Sequence, residues 1–238
     1  YAPVSELQEK YGSPNPKGLM EYISTCKRES KPQTKFQYSC LNYITLQHII
    51  ETITGQSLRD FAKENIFDIL GMQYTDYLPT IQQQDGKWIN TVACPWMDRI
   101  APTEKQKDGS VLCGQVHDPL ARILNGGISG NAGIFSNAND IGILAAALLN
   151  GGEYNGRRIL SPLGVKTMCT VPRELTAFGR TPGWDIFSPY ASNKGDLFSP
   201  NTFGHTGYTG TSIIIDPDND TAVILLVNAV HPEDRHSI

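Results

Sequence analysis

Residues 202–227 read Thr202-Phe-Gly-His-Thr-Gly-Tyr-Thr-Gly-Thr-Ser-Ile-Ile-Ile-Asp-Pro-Asp-Asn-Asp-Thr-Ala-Val-Ile-Leu-Leu-Val227, and this stretch decides the fold class. β-Branched and aromatic residues fill Thr202–His205, Thr211–Ile215 and Thr221–Val227, while Asp216-Pro-Asp-Asn-Asp220 has the turn chemistry of a hairpin. Strands joined by so short a turn must run antiparallel. A further strand is expected at Gly183–Phe187. The glycines of Gly204-His-Thr-Gly-Tyr-Thr-Gly210 make poor strand sequence unless something approaches the backbone closely, so a ligand facing this segment is expected.

Upstream of the hairpin the apolar period changes to about 3.6. Leu41, Ile44, Ile49, Ile50 and Ile53 predict a helix that starts near Ser39 and ends at Gly55, where a left-handed cap belongs. Ser57-Leu-Arg-Asp60 is a capping box opening a second helix that runs to Gly71. Gly18–Thr25, residues 138–149 behind Asn137, and Ser161–Thr170 also predict helices, and residues 1–18 read as loop around a short helix. Residues 76–125 show no clear period and read as a long irregular excursion. Helices first and hairpin strands last imply an α+β fold with an antiparallel sheet flanked by helices. The expected organisation is one domain over 1–238, mainly helical and loop at 19–175, with the sheet strands at 176–232.

Composition narrows the function classes. The 238 residues are 39% hydrophobic and 18% charged, which fits a globular chain and argues against disorder or a coiled coil. A formal charge of −4 with no basic run argues against a nucleic-acid partner. No apolar stretch approaches the ~20 residues of a membrane-spanning helix. Tyr1-Ala-Pro-Val has neither a basic start nor a following apolar stretch, so no signal or transit peptide is read here and the chain reads as an excised piece. The five cysteines at 26, 40, 94, 113 and 169 form no CxxC pair, so no metal site is expected. Gly126–Gly133 has the glycine content of a phosphate loop but no GK[ST] ending, and a turn bordering a cleft is the expected reading.

Several islands, in one order, resemble the penicillin-recognising serine hydrolases: β-lactamases, DD-peptidases and related esterases. They are Phe36-Gln-Tyr-Ser-Cys-Leu-Asn-Tyr43 with Ile49–Gly55 and Ile66–Met72, then Val116-His-Asp118, Gly126–Phe135 and Asn150-Gly-Gly152, and finally Phe203–Ser212. The resemblance implies a β-lactamase/transpeptidase-like fold and a mechanism built on an SxxK serine and lysine, a Tyr-x-Asn, and a Lys-Thr-Gly or His-Thr-Gly strand. Tyr38 matches the tyrosine that moves the serine's proton. A phenol ordinarily titrates near ~10, so this role needs positive charge beside it. His205, Thr206 and Gly207 match the strand motif, where the hydroxyl and a cation face substrate, and the backbone N–H of Tyr208 matches an oxyanion donor. Cys40 occupies the place of the motif's Asn, and a thiol is a weak replacement for an amide. His117 stands as a cleft-lining residue against the plainer alternative of a loop histidine. The resemblance implies no cofactor and no metal.

The sole Ser-x-x-Lys is Ser24-Thr-Cys-Lys27, 14 residues before Tyr38 and without an apolar helix behind it. The resemblance places its serine much further upstream, so Ser24 is read as a decoy. The nucleophile helix and N-terminal strands are expected to lie before Tyr1, and a C-terminal helix beyond Ile238. The expected function is the C-terminal part of an exported, periplasmic or cell-envelope serine hydrolase. It would act by an acyl-enzyme on a β-lactam, D-Ala peptide or ester, and its partners would be a small-molecule or peptidoglycan-derived substrate and its own N-terminal fragment. The alternative is a non-catalytic cell-wall or partner-binding module, appended to a larger enzyme such as a glycosidase. If His205 provides the cation, carboxylate substrates should bind better in mild acid.

Overall fold

The computed structural model, which describes residues 3–188 and 194–235, begins with α1 (Val4–Tyr11) and α2 (Pro16–Thr25). Asn15 caps α2 by accepting the Gly18 N–H, with Pro16 at its first position. Ser39 accepts the Leu41 N–H and starts α3 (Cys40–Thr54), which Gly55 closes at φ 70°. Ser57 accepts the Asp60 N–H to open α4 (Leu58–Ala62), and a wide π turn over Lys63–Phe67 carries the chain into α5 (Asp68–Leu70). Leu7, Leu19, Ile44, Leu120 and Leu124 are buried together and hold α1, α2 and α3 against a π turn at Leu120–Leu124. Each such side chain contributes ~2 kcal/mol of burial.

The segment 76–125 is more ordered than its sequence predicts. It contains β1 (Asp76–Tyr77), β2 (Thr80–Gln82) and β3 (Trp88–Asn90), with β2 and β3 forming a small antiparallel hairpin. These strands are too short to impose a visible period of two. β1 pairs instead with β4 (Ile134–Phe135), beyond the glycine loop. Asn137 then caps α6 (Ala138–Leu149) through the Asp140 N–H, and β5 (Glu153–Tyr154), β6 (Arg157–Arg158) and α7 (Pro162–Cys169) follow.

The C-terminal sheet is β7 (Phe203–Thr206), β8 (Ser212–Asp216) and β9 (Thr221–Leu225), antiparallel in that order. Its register pairs His205 with Ile213 and Ile213 with Ile224, so Phe203, Ile215 and Ala222 share the His205 face. That face is buried on Ala145 and Leu148 of α6 and Val165 of α7. Gly183–Phe187 does not form the expected strand. Asp185 alone bridges Gly204, because Pro182-Gly183 breaks the run and the Asp185 carboxylate turns back to accept the Ser188 N–H.

The glycines of the sheet motif have a reason other than a ligand. A Cβ on Gly204 would lie 2.3 Å from Ile213 O, and one on Gly207 would lie 2.3 Å from the Thr211 hydroxyl. The backbone of β8 leaves no room for a side chain at Gly204, and the Thr211 hydroxyl crowds the position of Gly207.

Candidate active site

The strand β7 delivers His205 to the end of the sheet nearest the start of α3. There its ring centroid lies 6.4 Å from that of Tyr38, tilted by 38°. Arg180, just after the left-handed Gly179, is inserted at the same point with its side chain 11% exposed. Its guanidinium carbon lies 5.7 Å from the Tyr38 ring and 5.8 Å from the Phe36 ring. Nη1 holds Asp185 Oδ2 at 3.0 Å, and Nη2 lies 3.1 Å from His205 Nε2. A guanidinium only donates, so Nε2 is the acceptor and the proton sits on Nδ1, which donates to Thr206 O at 2.7 Å. Arg180, rather than His205, therefore supplies the fixed positive charge here.

Strand alternation places Thr206 on the opposite face from His205, where it is exposed. Gly207 and Tyr208 enter the turn that leads to β8, with Gly207 N donating to Thr211 O at 2.7 Å. The Tyr208 ring stacks on His117 with centroids 5.6 Å apart, and its hydroxyl donates to Asp234 at 2.6 Å. His117 is thus a partner of the turn after β7. Its Nε2 is 3.2 Å from Glu104 Oε2, close enough for a charge contact but not aligned for a hydrogen bond. Buried Arg122 fixes the backbone here by donating to His117 O at 2.7 Å, and burial lowers its pKa against the pull of Asp118 and Glu104.

Asp118 acts on the Tyr38 end of this site by its charge. Its carboxylate caps the turn at Leu120–Leu124 through the Ala121 N–H at 2.8 Å, and its charge acts on both Tyr38 and Cys40. Burial pushes the Tyr38 hydroxyl above the ordinary phenol range; Cys40 and Asp118 add to this, and Arg180 opposes it. Within this chain Tyr38 therefore carries its proton near neutrality. Cys40, at the first position of α3, is likewise raised by burial and by Asp118, against a hydrogen bond from Asn131.

Ser24 stands apart. It lies in the last turn of α2, exposed, with its hydroxyl donating to Glu21 O at 2.7 Å. Because α2 ends at Thr25, Lys27 lies outside the helix and no helical turn holds the pair together. Sequence reasoning missed Arg180, Asp185 and Asn131. A single arginine before Thr181-Pro-Gly183 belongs to no motif, and only its burial identifies it. Among the described residues no group of three or more His, Cys, Asp or Glu could hold a metal ion, and no helix is long and apolar enough to cross a membrane.

A family model described as Beta-lactamase matches residues 3–238. A protein of Escherichia coli (strain K12) named "Putative D-alanyl-D-alanine carboxypeptidase" is 35% identical over 226 residues, covering 89% of this chain and 49% of that protein. One of the same name from Salmonella gallinarum is 32% identical over 243 residues, covering 96% and 53%. The chain spans about half the length of the curated relatives it matches. Among solved structures, a penicillin-binding protein homologue from Caulobacter crescentus superposes with a TM-score of 0.60 at 17% identity, covering 90% of this chain and 58% of that one. The hydrolase EstCE1, described as having promiscuous acyltransferase activity, gives 0.59 at 18%, covering 90% and 56%. At these identities the likeness shows the fold.

Proposed function

Because this chain belongs to the beta-lactamase family of serine hydrolases, we propose that it forms the C-terminal, substrate-facing part of an exported cell-envelope enzyme that removes D-alanine from peptidoglycan peptides. The observation that carries this reading is the meeting of Tyr38, Arg180 and His205 at one crevice. Arg180 is a fixed cation suited to the terminal carboxylate of a D-Ala-D-Ala peptide, and the names of the relatives point to the same substrate class. A β-lactam or small ester offers the same reacting carbonyl.

In this reading the serine and its lysine come from sequence outside 1–238. The serine oxygen attacks the penultimate D-Ala carbonyl, the C–N bond breaks, and Tyr38 carries the serine's proton to the leaving amine. Water then hydrolyses the acyl-enzyme. The Tyr208 N–H serves the oxyanion, while Cys40, His117, Thr206 and Gly207 border the substrate. The whole of 1–238 is then a single partial domain, silent by itself.

The test joins the chain to the segment encoded upstream and measures D-alanine release. Release that falls ~100-fold or more in Tyr38→Phe supports the reading. An upstream segment without Ser-x-x-Lys, or no release by the joined protein, replaces it with the non-catalytic binding module.

A further inference from the structure

The turn that follows β7 is held by segments distant from it in sequence. Within it Gly207 N donates to Thr211 O at 2.7 Å and Gly210 N to Gly207 O at 2.9 Å, and Ala229 N donates to Thr209 O at 2.8 Å from outside. The Tyr208 side chain projects from this turn and is held at its tip and on one face. Its hydroxyl donates to Asp234 at 2.6 Å, and its ring lies on the His117 imidazole with centroids 5.6 Å apart and planes inclined by 21°.

The imidazole is itself immobilised. Buried Arg122 donates to the carbonyls of Val116 and His117, and Asp118 caps the turn that follows, so the backbone on both sides of the ring is clamped. His117 Nε2 is buried and, among the described residues, makes no aligned hydrogen bond; the group that compensates it is the Glu104 carboxylate, with Oε2 at 3.2 Å. A carboxylate only accepts, so the proton belongs on Nε2. Glu104 sits on a segment stapled to residues 228–232. Asn228 Nδ2 donates to Pro102 O at 2.8 Å, His231 Nδ1 to Thr103 O at 2.7 Å, and Lys105 N to Pro232 O at 2.7 Å. One stretch of chain, 228–234, therefore braces both the turn after β7 and the segment that carries Glu104.

We infer that Glu104 is a positioning residue for the oxyanion donor. Through His117 it fixes the Tyr208 ring, and together with Asp234 it thereby fixes the direction of the Tyr208 N–H. Charge developing on a carbonyl oxygen is stabilised by donors already aimed at it, which need not reorganise during the reaction. Gly207 and Gly210 bracket Tyr208 and Thr209 with the least constrained backbone available, so the aim comes from the side chain of Tyr208 and what grips it. The inference rests on the acyl-enzyme reading above, in which the Tyr208 N–H serves the oxyanion. Glu104 and Asp234 act on it without touching substrate.

Two experiments test the inference and keep it apart from that reading. In the chain 1–238, a nuclear Overhauser contact joins the ring protons of His117 and Tyr208. It should persist in Glu104→Gln, which keeps an oxygen acceptor beside Nε2, and be lost in Glu104→Ala. A contact of full strength in Glu104→Ala overturns the coupling, whatever the enzyme does. In the protein joined to its upstream segment, Glu104→Ala should lower kcat on a D-Ala-D-Ala peptide ~10-fold with KM within ~2-fold. It should weaken by a similar factor a peptide boronic acid, whose tetrahedral adduct on the serine places an oxygen in the oxyanion site. Glu104→Gln should recover most of both. An unchanged kcat, or a fall in kcat with unchanged boronic acid affinity, overturns the assignment. Tyr208→Leu keeps the backbone N–H but removes the ring through which Glu104 acts, so adding Glu104→Ala to it should cost no further kcat, and a further ~10-fold loss overturns the route through His117. Absence of D-alanine release before any substitution rejects the acyl-enzyme reading and with it the oxyanion role, while the ring contact still decides whether Glu104 holds His117 on Tyr208.

Discussion

Arg180 Nη2 and His205 Nε2 lie 3.1 Å apart, with the arginine donating and the imidazole accepting. Asp185 neutralises part of the guanidinium from the other side at 3.0 Å, and the rings of Phe36 and Tyr38 flank it. The strand histidine is consequently held in one tautomer while its neighbour keeps the charge. In the joined protein, Arg180→Ala should cost ~10- to 100-fold in kcat/KM on a substrate ending in a carboxylate and less than ~3-fold on a neutral ester. A uniform loss on both substrates would mean that Arg180 only supports the fold. His205→Lys should not reproduce the native site, because it would set a second cation against Arg180.

Tyr38 gives a prediction about proton affinity. Burial outweighs Arg180 and keeps its phenol protonated above the ordinary range near ~10. The difference in phenolate absorbance between the chain and its Tyr38→Phe variant should therefore appear only above that range. Since the folded group retains a proton that the unfolded one releases, its contribution to stability is present below ~10 and fades as pH rises through the folded value. The upstream segment, with its lysine, should bring the midpoint down. A midpoint at or below the ordinary value in the chain alone would remove the need for an external cation.

The exposed, helix-end placement of Ser24 predicts that 1–238 does not turn over nitrocefin or a p-nitrophenyl ester, nor become labelled by penicillin. Robust turnover abolished by Ser24→Ala would show that the nucleophile lies within this chain.

Asp216 closes the hairpin between β8 and β9. Burial pushes its carboxyl up, but Ser199 Oγ at 2.6 Å, Ser199 N at 2.9 Å, Asn219 Nδ2 at 2.8 Å and Asp218 N at 3.1 Å donate to it and hold it well below the usual carboxylate range. A depressed carboxyl stabilises the fold above the unfolded value of ~4, and that contribution is lost as pH falls through the folded one. Asp216→Ala should lower urea stability at pH ~7 by ~2–3 kcal/mol and flatten the acid limb below pH ~4. Identical urea midpoints for the two proteins at neutral pH would rule this out.

Two glycines should respond with opposite signs. Alanine at 130 would drive its Cβ to 2.0 Å from Tyr43 O, and a loss of ~2–3 kcal/mol is expected from thermal or urea unfolding. Alanine at 142, inside α6, meets only Ile224 Cδ1 at 3.8 Å and should add ~0.5–1 kcal/mol through helix propensity. Destabilisation by both would show that α6 packs more tightly against β9 than these distances allow.

Much of the fold was legible because local chemistry fixes helix ends and turns. The Ser39, Ser57 and Asn137 caps, the left-handed Gly55 and Gly71, and the turn at Asp216–Asp220 all lie where residue type predicts. The failures share a cause. Gly183–Phe187 has strand composition, yet the Asp185 carboxylate is taken by Arg180 and Ser188, five residues before it and three after, in a local turn that composition alone does not reveal. Gly204 abuts Ile213 O of the neighbouring strand, a packing requirement that its sequence context does not show. Tyr38 and His205 could be proposed from motif order, whereas Arg180 and Asn131 could not, since neither belongs to a repeated spacing.

The linear order of residues thus determined the capped helices, the closing hairpin and the family pattern around Tyr38 and His205, because each depends on neighbours within a few positions. Which group holds positive charge beside Tyr38 was decided only when chain segments 25 residues apart came into contact. The meeting of Arg180 with His205 and Tyr38, and the chain of hydrogen bonds from Gln47 through Asn125 and Ser129 to Asn131, are properties of the packed molecule that no local spacing encodes.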